Sequence, residues 1–150
     1  MKSPMYDQDF LRWTEQQAAV LRAGNLLALD REGLLEELED MGNERREALQ
    51  SLLRNILAHL LKLEYSAATN PRAGWVEEVL EFRAQAETKL EDTPSLKHYA
   101  DDLYLKAWPQ ARKMVEKSFR FYQEKVTLPQ TCPYTLAQVL DYDFFPLRDC

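Results

Sequence analysis

The sequence predicts an all-α protein, a single-domain bundle of five or six helices built around one long helix at about residues 31–65. Three observations indicate this class. Apolar residues recur every three or four positions along most of the chain, which is typical of amphipathic helices. Seven prolines divide the chain into segments of helical length. The four glycines each stand alone, which excludes a glycine-rich loop that would hold a phosphate group.

The chain has the length of one domain. Its 150 residues fall within the range of about 100 to 200 residues that is usual for a domain. Hydrophobic residues make up 45% of the chain, so residues 1–150 are expected to form one all-helical domain. The 19 Lys and Arg residues stand against 25 Asp and Glu residues, a net charge of -6. This balance disfavours unspecific binding of nucleic acid.

The sequence predicts neither a targeting segment nor a disulfide framework. The N-terminus lacks the apolar run of a signal peptide. The longest uncharged stretch, residues 126–140, is short and contains Pro129 and Pro133, so it cannot span a bilayer. Cys132 and Cys150 are too few for a disulfide framework. We therefore expect a cytoplasmic protein that does not bind a membrane.

The first predicted helix begins near residue 7 and ends near Gly24. Its apolar face includes Phe10 and Trp13, with Gln17 on the same side. Asp7 occupies the position at which a helix N-cap accepts hydrogen bonds from free backbone N–H groups.

The second predicted helix, at about residues 31–65, carries an unbroken apolar stripe. Asp30 is its predicted N-cap. Glu36 and Asp40 lie on the opposite side of the helix, which we expect to face solvent. The stripe broadens toward the C-terminal end, which is therefore the predicted centre of the bundle. Its members are Leu34, Leu35, Leu38, Met41, Leu49, Leu52, Leu53, Ile56, Leu60 and Leu63.

The rest of the chain predicts further helices. One extends from Trp75 to about Lys89, and the next begins at Thr93 and Pro94. Pro109 is expected to break or kink that helix and to begin its continuation. A short helix is predicted at residues 135–140, within a tail rich in aromatic residues. Because this tail is apolar, we expect an ordered strap that packs against the bundle.

Metal binding is not predicted. An acidic run near the start of the long helix suggests a carboxylate site for two metal ions, as in ferritin-like bundles. Such sites need a Glu three residues before a His, but Ile56 precedes His59 and Ser95 precedes His98 at that spacing. We therefore expect no metal and no cofactor. For His59, a hydrogen-bonded histidine of the core is favoured over a ligand-binding or catalytic group.

One basic face interrupts the acidic composition. It consists of Lys106, Lys113, Lys117 and Arg120 on the last long helix. Residues 106–125 hold six Lys or Arg residues and two Glu residues, a balance of +4. Weak binding of nucleic acid through this basic face is one interpretation. Solvation, or pairing with an acidic face of this or another copy, is favoured.

Several motifs distributed along the chain resemble those of one family. They are Tyr6-Asp7-x-Asp9-Phe10-x-x-Trp13, Leu35-Glu36-Glu37-Leu38-Glu39-x-Met41-Gly42, His59-Leu60-Leu61-Lys62 and Cys132-Pro133-Tyr134. The chain resembles the bacterial family catalogued as domain of unknown function number 29. This resemblance implies an all-helical fold in a bacterial cytoplasm, and it implies no reaction.

Two interpretations apply to the polar residues of these motifs. They either converge on a shared pocket between helices, or they cap helices and link them by hydrogen bonds, which is favoured. The residues concerned are Asp9, Gln17, Glu37, Asp40, His59 and Arg83.

The sequence predicts a non-enzymatic interaction or regulatory protein. It shows no nucleophile beside a base, no metal-ligand spacing and no nucleotide loop. The expected partner is an unidentified protein or a second copy of the chain. The alternatives are a metal- or small-ligand-dependent activity in an interhelical pocket near His59, and weak nucleic-acid binding through the basic face.

Overall fold

The fold of residues 1–146 is described by a computed structural model. This part of the chain contains six α-helices and no β-strand. Two short 3-10 helices, Leu26–Ala28 and Pro94–His98, connect neighbouring helices. The predicted all-α fold with one long helix at residues 31–65 is confirmed. The α-helices are α1 (Pro4–Gln8), α2 (Phe10–Arg22), α3 (Arg31–Tyr65), α4 (Arg72–Asp92), α5 (Ala100–Phe121) and α6 (Leu136–Leu140).

The residues group into two compact units. The first is Met1–Arg45, and the second is Arg46–Cys150. The first unit holds α1, α2 and the beginning of α3, and the second holds the rest of α3 and the later helices. The expectation of a single domain stays a prediction.

Two separate caps begin the first unit. Ser3 caps α1, because its hydroxyl accepts a hydrogen bond from the N–H of Met5 at 3.3 Å. Asp9 caps α2 and accepts from the N–H of Arg12 at 3.1 Å. The predicted cap, Asp7, is wrong, since Asp7 lies inside α1. The chain leaves the helical conformation at Asp9, which puts that carboxylate at the start of the longer helix.

The carboxylate of Asp30 is the main polar junction of the first unit. Its Oδ1 accepts from the N–H of Gly33 at 3.1 Å, which confirms Asp30 as the cap of α3. Its Oδ2 accepts from Trp13 Nε1 and from the N–H of Ser3, both at 2.9 Å. The N–H of Asp30 itself donates to Gln17 Oε1 at 2.7 Å. One buried side chain thus joins α1, α2 and α3.

These donors also set the charge state of Asp30. Burial by itself raises the pKa of this carboxyl, but the hydrogen bonds from Ser3, Gly33 and Trp13 outweigh it, so the pKa is lowered from its ordinary value. Asp30 therefore stabilises the fold at a pH above its pKa in the unfolded chain. That contribution is lost as the pH falls through the lower pKa of the folded state.

The second unit has a continuous apolar core. Its centre is the C-terminal part of α3, as the broad apolar arc predicted, and every leucine named here is at most 7% exposed. Ala107 and Ala111 of α5 and Val79 and Ala86 of α4 are fully buried in this core. The buried α3 leucines are Leu49, Leu52, Leu53, Leu57, Leu60, Leu61 and Leu63.

Helix α5 continues without a break through Pro109. Proline has no backbone N–H, so the carbonyl of Leu105, four residues earlier, loses its helical partner. Pro109 and Leu105 are both exposed, and water can reach that carbonyl. The predicted break at Pro109 is therefore not observed.

The C-terminal tail packs against the core of the second unit. Thr135 caps α6 in a reciprocal pair with Gln138, each side chain accepting from the backbone N–H of the other, at 3.2 and 3.0 Å. Tyr134 is buried, and Phe144 and Phe145 pack against the core. The predicted short helix and aromatic strap are confirmed. Cys150 lies outside the described residues.

Replacing Gly33 with alanine is expected to destabilise the first unit. The added methyl group would lie 2.5 Å from Asp30 Oδ2 and 2.9 Å from Cζ2 of Trp13. Overpacking of this kind costs about 1–3 kcal/mol, which outweighs the gain of about 1 kcal/mol in helix propensity. Faster amide hydrogen exchange in residues 1–45 measures the loss.

Gly74→Ala is the matched control. Gly74 also lies in a helix, but a methyl group there meets no atom within 4 Å. This variant should gain up to about 1 kcal/mol from helix propensity alone. Equal stabilisation by Gly33→Ala and Gly74→Ala in urea denaturation would contradict the close packing at Asp30.

Candidate functional site

The N-terminal segment of the first unit covers the acidic side of α3. Lys2 forms an ion pair with Glu36, and the hydroxyl of Tyr6 donates to Glu37 Oε1. The bond to Glu36 raises the pKa of Lys2, and the bond to Glu37 raises the pKa of Tyr6. The expectation that Glu36 lies on a purely solvated face is therefore wrong.

The apolar side of the same stretch of α3 is left exposed. Leu35, Leu38 and Met41 are 57%, 65% and 60% exposed. In the preceding 3-10 helix, Leu26 is also exposed and Leu27 is completely so. We call these five residues the leucine face. The prediction of one continuous buried stripe is wrong here, because the stripe is buried only from Leu49 onward among the described residues.

A shallow apolar groove runs beside the leucine face. It has a volume of about 720 Å³. Its lining combines apolar and charged residues, namely Met1, Leu29, Leu34, Leu35, Leu38, Asp30, Arg31 and Glu32. Leu35 and Leu38 belong both to the leucine face and to this groove, and exposed apolar patches mark interaction sites in folded proteins. The leucine face is therefore a candidate docking surface.

The leucine face belongs to a strongly acidic unit. Residues 1–45 contain ten Asp or Glu residues and five Lys or Arg residues, a balance of -5 out of the -6 for the whole chain. A partner that docks there meets the apolar side chains of the leucine face, and it also experiences the negative potential of the unit around them.

The basic face of α5 is exposed in the second unit. All four of its cationic side chains reach solvent, and Arg120 pairs with Glu116 at 2.8 Å. Leu105 and Met114 on the same helix are 65% and 46% exposed. This helix therefore presents cations together with exposed apolar side chains.

The polar motif residues of the first unit have separate roles. Asp9 caps α2, and the buried Gln17 binds the backbone of Asp30. Glu37 binds the Tyr6 hydroxyl, and the charge of the exposed Asp40 also raises the pKa of that phenol. Glu37 thus has the Tyr6 phenol as its hydrogen-bond partner, whereas Asp9 and Gln17 have other partners.

His59 has both of its ring nitrogens in hydrogen bonds. Nδ1 lies 2.7 Å from the carbonyl oxygen of Asn55, and Nε2 contacts the carboxylate of Glu78. The ring packs edge-on against Phe82, with 5.6 Å between the ring centroids. These contacts favour the hydrogen-bonded histidine. Within residues 1–146, no group of three His, Cys, Asp or Glu side chains is arranged to hold a metal ion.

Arg83 ties α4 to the C-terminal tail. Its Nε donates to the carbonyl of Val139 at 2.8 Å, and its Nη2 donates to that of Gln138 at 3.2 Å. The guanidinium lies 4.9 Å from the centroid of the Phe145 ring. The side chain is 1% exposed, and burial lowers its pKa. Its contacts are those of an interhelical link.

The leucine face was missed by sequence reasoning. Helical periodicity shows which residues share a side of a helix, but it does not show what covers that side. One signal was present: the apolar residues Leu26, Leu27 and Leu29 stand in a short connection between two helices. A connection of this length is too short to bury such side chains by itself, so the exposure of Leu26 and Leu27 was foreseeable.

The fold and its contacts define an all-α helical protein. In the described part of the chain, no helix combines the length and the apolar composition that crossing a membrane requires. The family model described as domain of unknown function DUF29 matches residues 5–145, and the chain belongs to this family. No curated protein and no solved structure matches the chain.

Arg83→Met is expected to loosen the C-terminal tail. The carbonyl of Val139 loses its donor, and hydrogen bonds from charged groups contribute about 1.5–3 kcal/mol. Faster hydrogen exchange in residues 134–145 and a lower midpoint of urea denaturation check this. Arg120→Met, at an exposed arginine, is the control and should change stability by less than about 0.5 kcal/mol. Unchanged exchange in Arg83→Met would show that Arg83 is no such link.

Proposed function

We propose that this chain is a non-enzymatic interaction protein, and that its leucine face binds the basic face of a second copy. The exposure of Leu35, Leu38 and Met41 carries the proposal. Leaving this much apolar surface in water is unfavourable by about 25 cal/mol per Å². A partner that covers the leucine face recovers that free energy.

The negative charge of the first unit determines which kind of surface can bind to the leucine face. Two leucine faces in direct contact would bring together two units of charge -5, and like charges that face one another across an interface oppose binding. A basic partner surface is attracted instead. The occupant should therefore be apolar and cationic.

Helix α5 of a second copy has this chemistry. Its exposed side offers Lys113 and Lys117, and the exposed Leu105 and Met114 lie on the two opposite flanks of these cations. The apolar side of α5 is buried in its own core, so it is the flanking side chains that are available to contact an apolar groove. The groove along Leu34 and Leu38 is such a groove.

This pairing joins two different surfaces. Each copy would use its leucine face toward one neighbour and its basic face toward another, so the contact is heterologous. Heterologous contacts produce rings or open chains of subunits. The charged part of the contact should weaken as salt is added.

The proposal includes a bacterial cytoplasmic setting. The net charge of -6 supports a role in aqueous solution. Cys132 is a free thiol whose pKa is raised by burial, which is consistent with an unreactive cysteine in a reducing compartment.

The two alternative functions have less support. Both nitrogens of His59 are already bonded, so a ligand there must displace Glu78 or a backbone carbonyl. The cations of the basic face can bind nucleic acid as well as protein. Binding of nucleic acid there, however, would leave the leucine face uncovered.

Complementary double variants test the pairing. Leu38→Glu with Met41→Glu disables the leucine face, and Lys113→Glu with Lys117→Glu disables the basic face. Analytical ultracentrifugation at about 1–100 µM should show association of the unaltered protein and a monomer for each double variant. An equimolar mixture of the two should form a one-to-one dimer, because one intact face remains on each.

Leu11→Glu is the control, since Leu11 is exposed on α2 outside the leucine face. It should associate like the unaltered protein. A monomeric unaltered protein at about 100 µM, or a mixture that stays monomeric, would contradict the proposal. Monomers that bind RNA in a salt-sensitive way through Lys113 and Lys117 would favour the nucleic-acid alternative instead.

A further inference from the structure

A second candidate site lies within residues 46–146 and is independent of the leucine face. It is a cavity of about 520 Å³ near the C-terminal ends of α3 and α5 and the start of α4. Cavities of about 300–1,000 Å³ are typical of small-molecule sites. Its principal lining residues are Lys62, Ser66, Trp75, Phe119, Tyr122 and Glu124.

A tight turn at the end of α5 places Glu124 in the cavity wall. The N–H of Glu124 donates to the carbonyl of Phe119 at 2.8 Å, and the N–H of Gln123 donates to that of Arg120 at 3.1 Å. Gln123 has a φ of 58°, a conformation that costs a residue with a side chain about 1–2 kcal/mol. Many helices end with one left-handed residue of this kind, and here it fixes the position of Glu124.

Only one of the two carboxylate oxygens of Glu124 has a hydrogen-bond partner in the described part of the chain. Oε1 accepts from the hydroxyl of Ser66 at 2.9 Å, and Ser66 is 1% exposed. Oε2 is buried and has no hydrogen-bond partner. A buried polar atom without a partner costs about 1–3 kcal/mol, and a ligand that donates a hydrogen bond would remove this cost.

A cation and several aromatic side chains complete the lining of the cavity. Lys62 places its ammonium group 5.9 Å from the centroid of the Trp75 ring. In the described part of the chain, Lys62 and Glu124 do not form an ion pair with each other. Phe119 and Tyr122 add aromatic surface. The cavity thus offers an acceptor, a cation and apolar walls to one occupant.

We infer that this cavity binds a small zwitterion with an aromatic body, the chemistry of an aromatic α-amino acid. Its ammonium group pairs with the carboxylate of Glu124, whose Oε2 has no hydrogen-bond partner in the described part of the chain. Its carboxylate pairs with Lys62, and its ring packs between Trp75 and Phe119. None of these residues belongs to the leucine face or to the basic face.

Three probes that differ by one charged group test the inference by isothermal titration calorimetry. L-tryptophan carries both charges, tryptamine lacks the carboxylate, and indole-3-propionate lacks the ammonium group. L-tryptophan should bind with a Kd below about 1 mM. Tryptamine should bind at least about tenfold more weakly, and indole-3-propionate more weakly still, because it leaves Glu124 Oε2 without a donor.

Variants assign each charge to its residue. Glu124→Gln should weaken L-tryptophan and tryptamine alike by at least about tenfold. Lys62→Met should weaken L-tryptophan and leave tryptamine unchanged. Glu77→Gln is the control, because Glu77 is exposed on α4 and does not line the cavity. Circular dichroism of each variant shows that the helices are retained.

Three results would overturn the inference. One is that L-tryptophan does not bind at about 10 mM. The second is an unchanged affinity for L-tryptophan in folded Glu124→Gln. The third is binding of indole-3-propionate as tight as that of L-tryptophan, since the ammonium group would then contribute nothing.

Discussion

The carboxylate of Asp30 holds the N-terminal unit together. It accepts hydrogen bonds from the backbone of Ser3, the indole of Trp13 and the backbone of Gly33, which belong to three separate segments. Removing it would leave three donors without this acceptor, and buried donors without a partner are costly. The same junction brings the N-terminal segment to the acidic side of α3, where Tyr6 binds Glu37. The apolar side of that stretch is left exposed.

The leucines that recur along α3 are buried in one part of the helix and exposed in another. In its C-terminal part, Leu53, Leu57 and Leu61 are completely buried and form the centre of a core. In its N-terminal part, Leu35 and Leu38 are exposed to solvent although their spacing is also that of one helix face. The buried part contributes stability to the second unit, and the exposed part is free to bind another surface. This division connects the fold to the proposed interaction.

Local features of the fold could be predicted from the sequence, because each depends on residues close in the chain. The long helix follows from helical periodicity, and α6 follows from Thr135 and its partner three residues later. The cap of α2 could not be predicted, since Asp7 and Asp9 have equal capping chemistry. The exposure of residues 35–41 depends on tertiary contacts. The cavity at Glu124 depends on a left-handed residue, Gln123, that is not the usual glycine.

The apolar side of α3 near residue 38 faces solvent in the single chain. Hydroxyl-radical footprinting at about 1 µM, where weak association is negligible, measures this exposure side chain by side chain. We expect rapid labelling of Leu38 and Met41 and strong protection of Leu53 and Leu57, since only the first pair is exposed. Protection of Leu38 and Met41 equal to that of Leu53 would show that this side of α3 is covered.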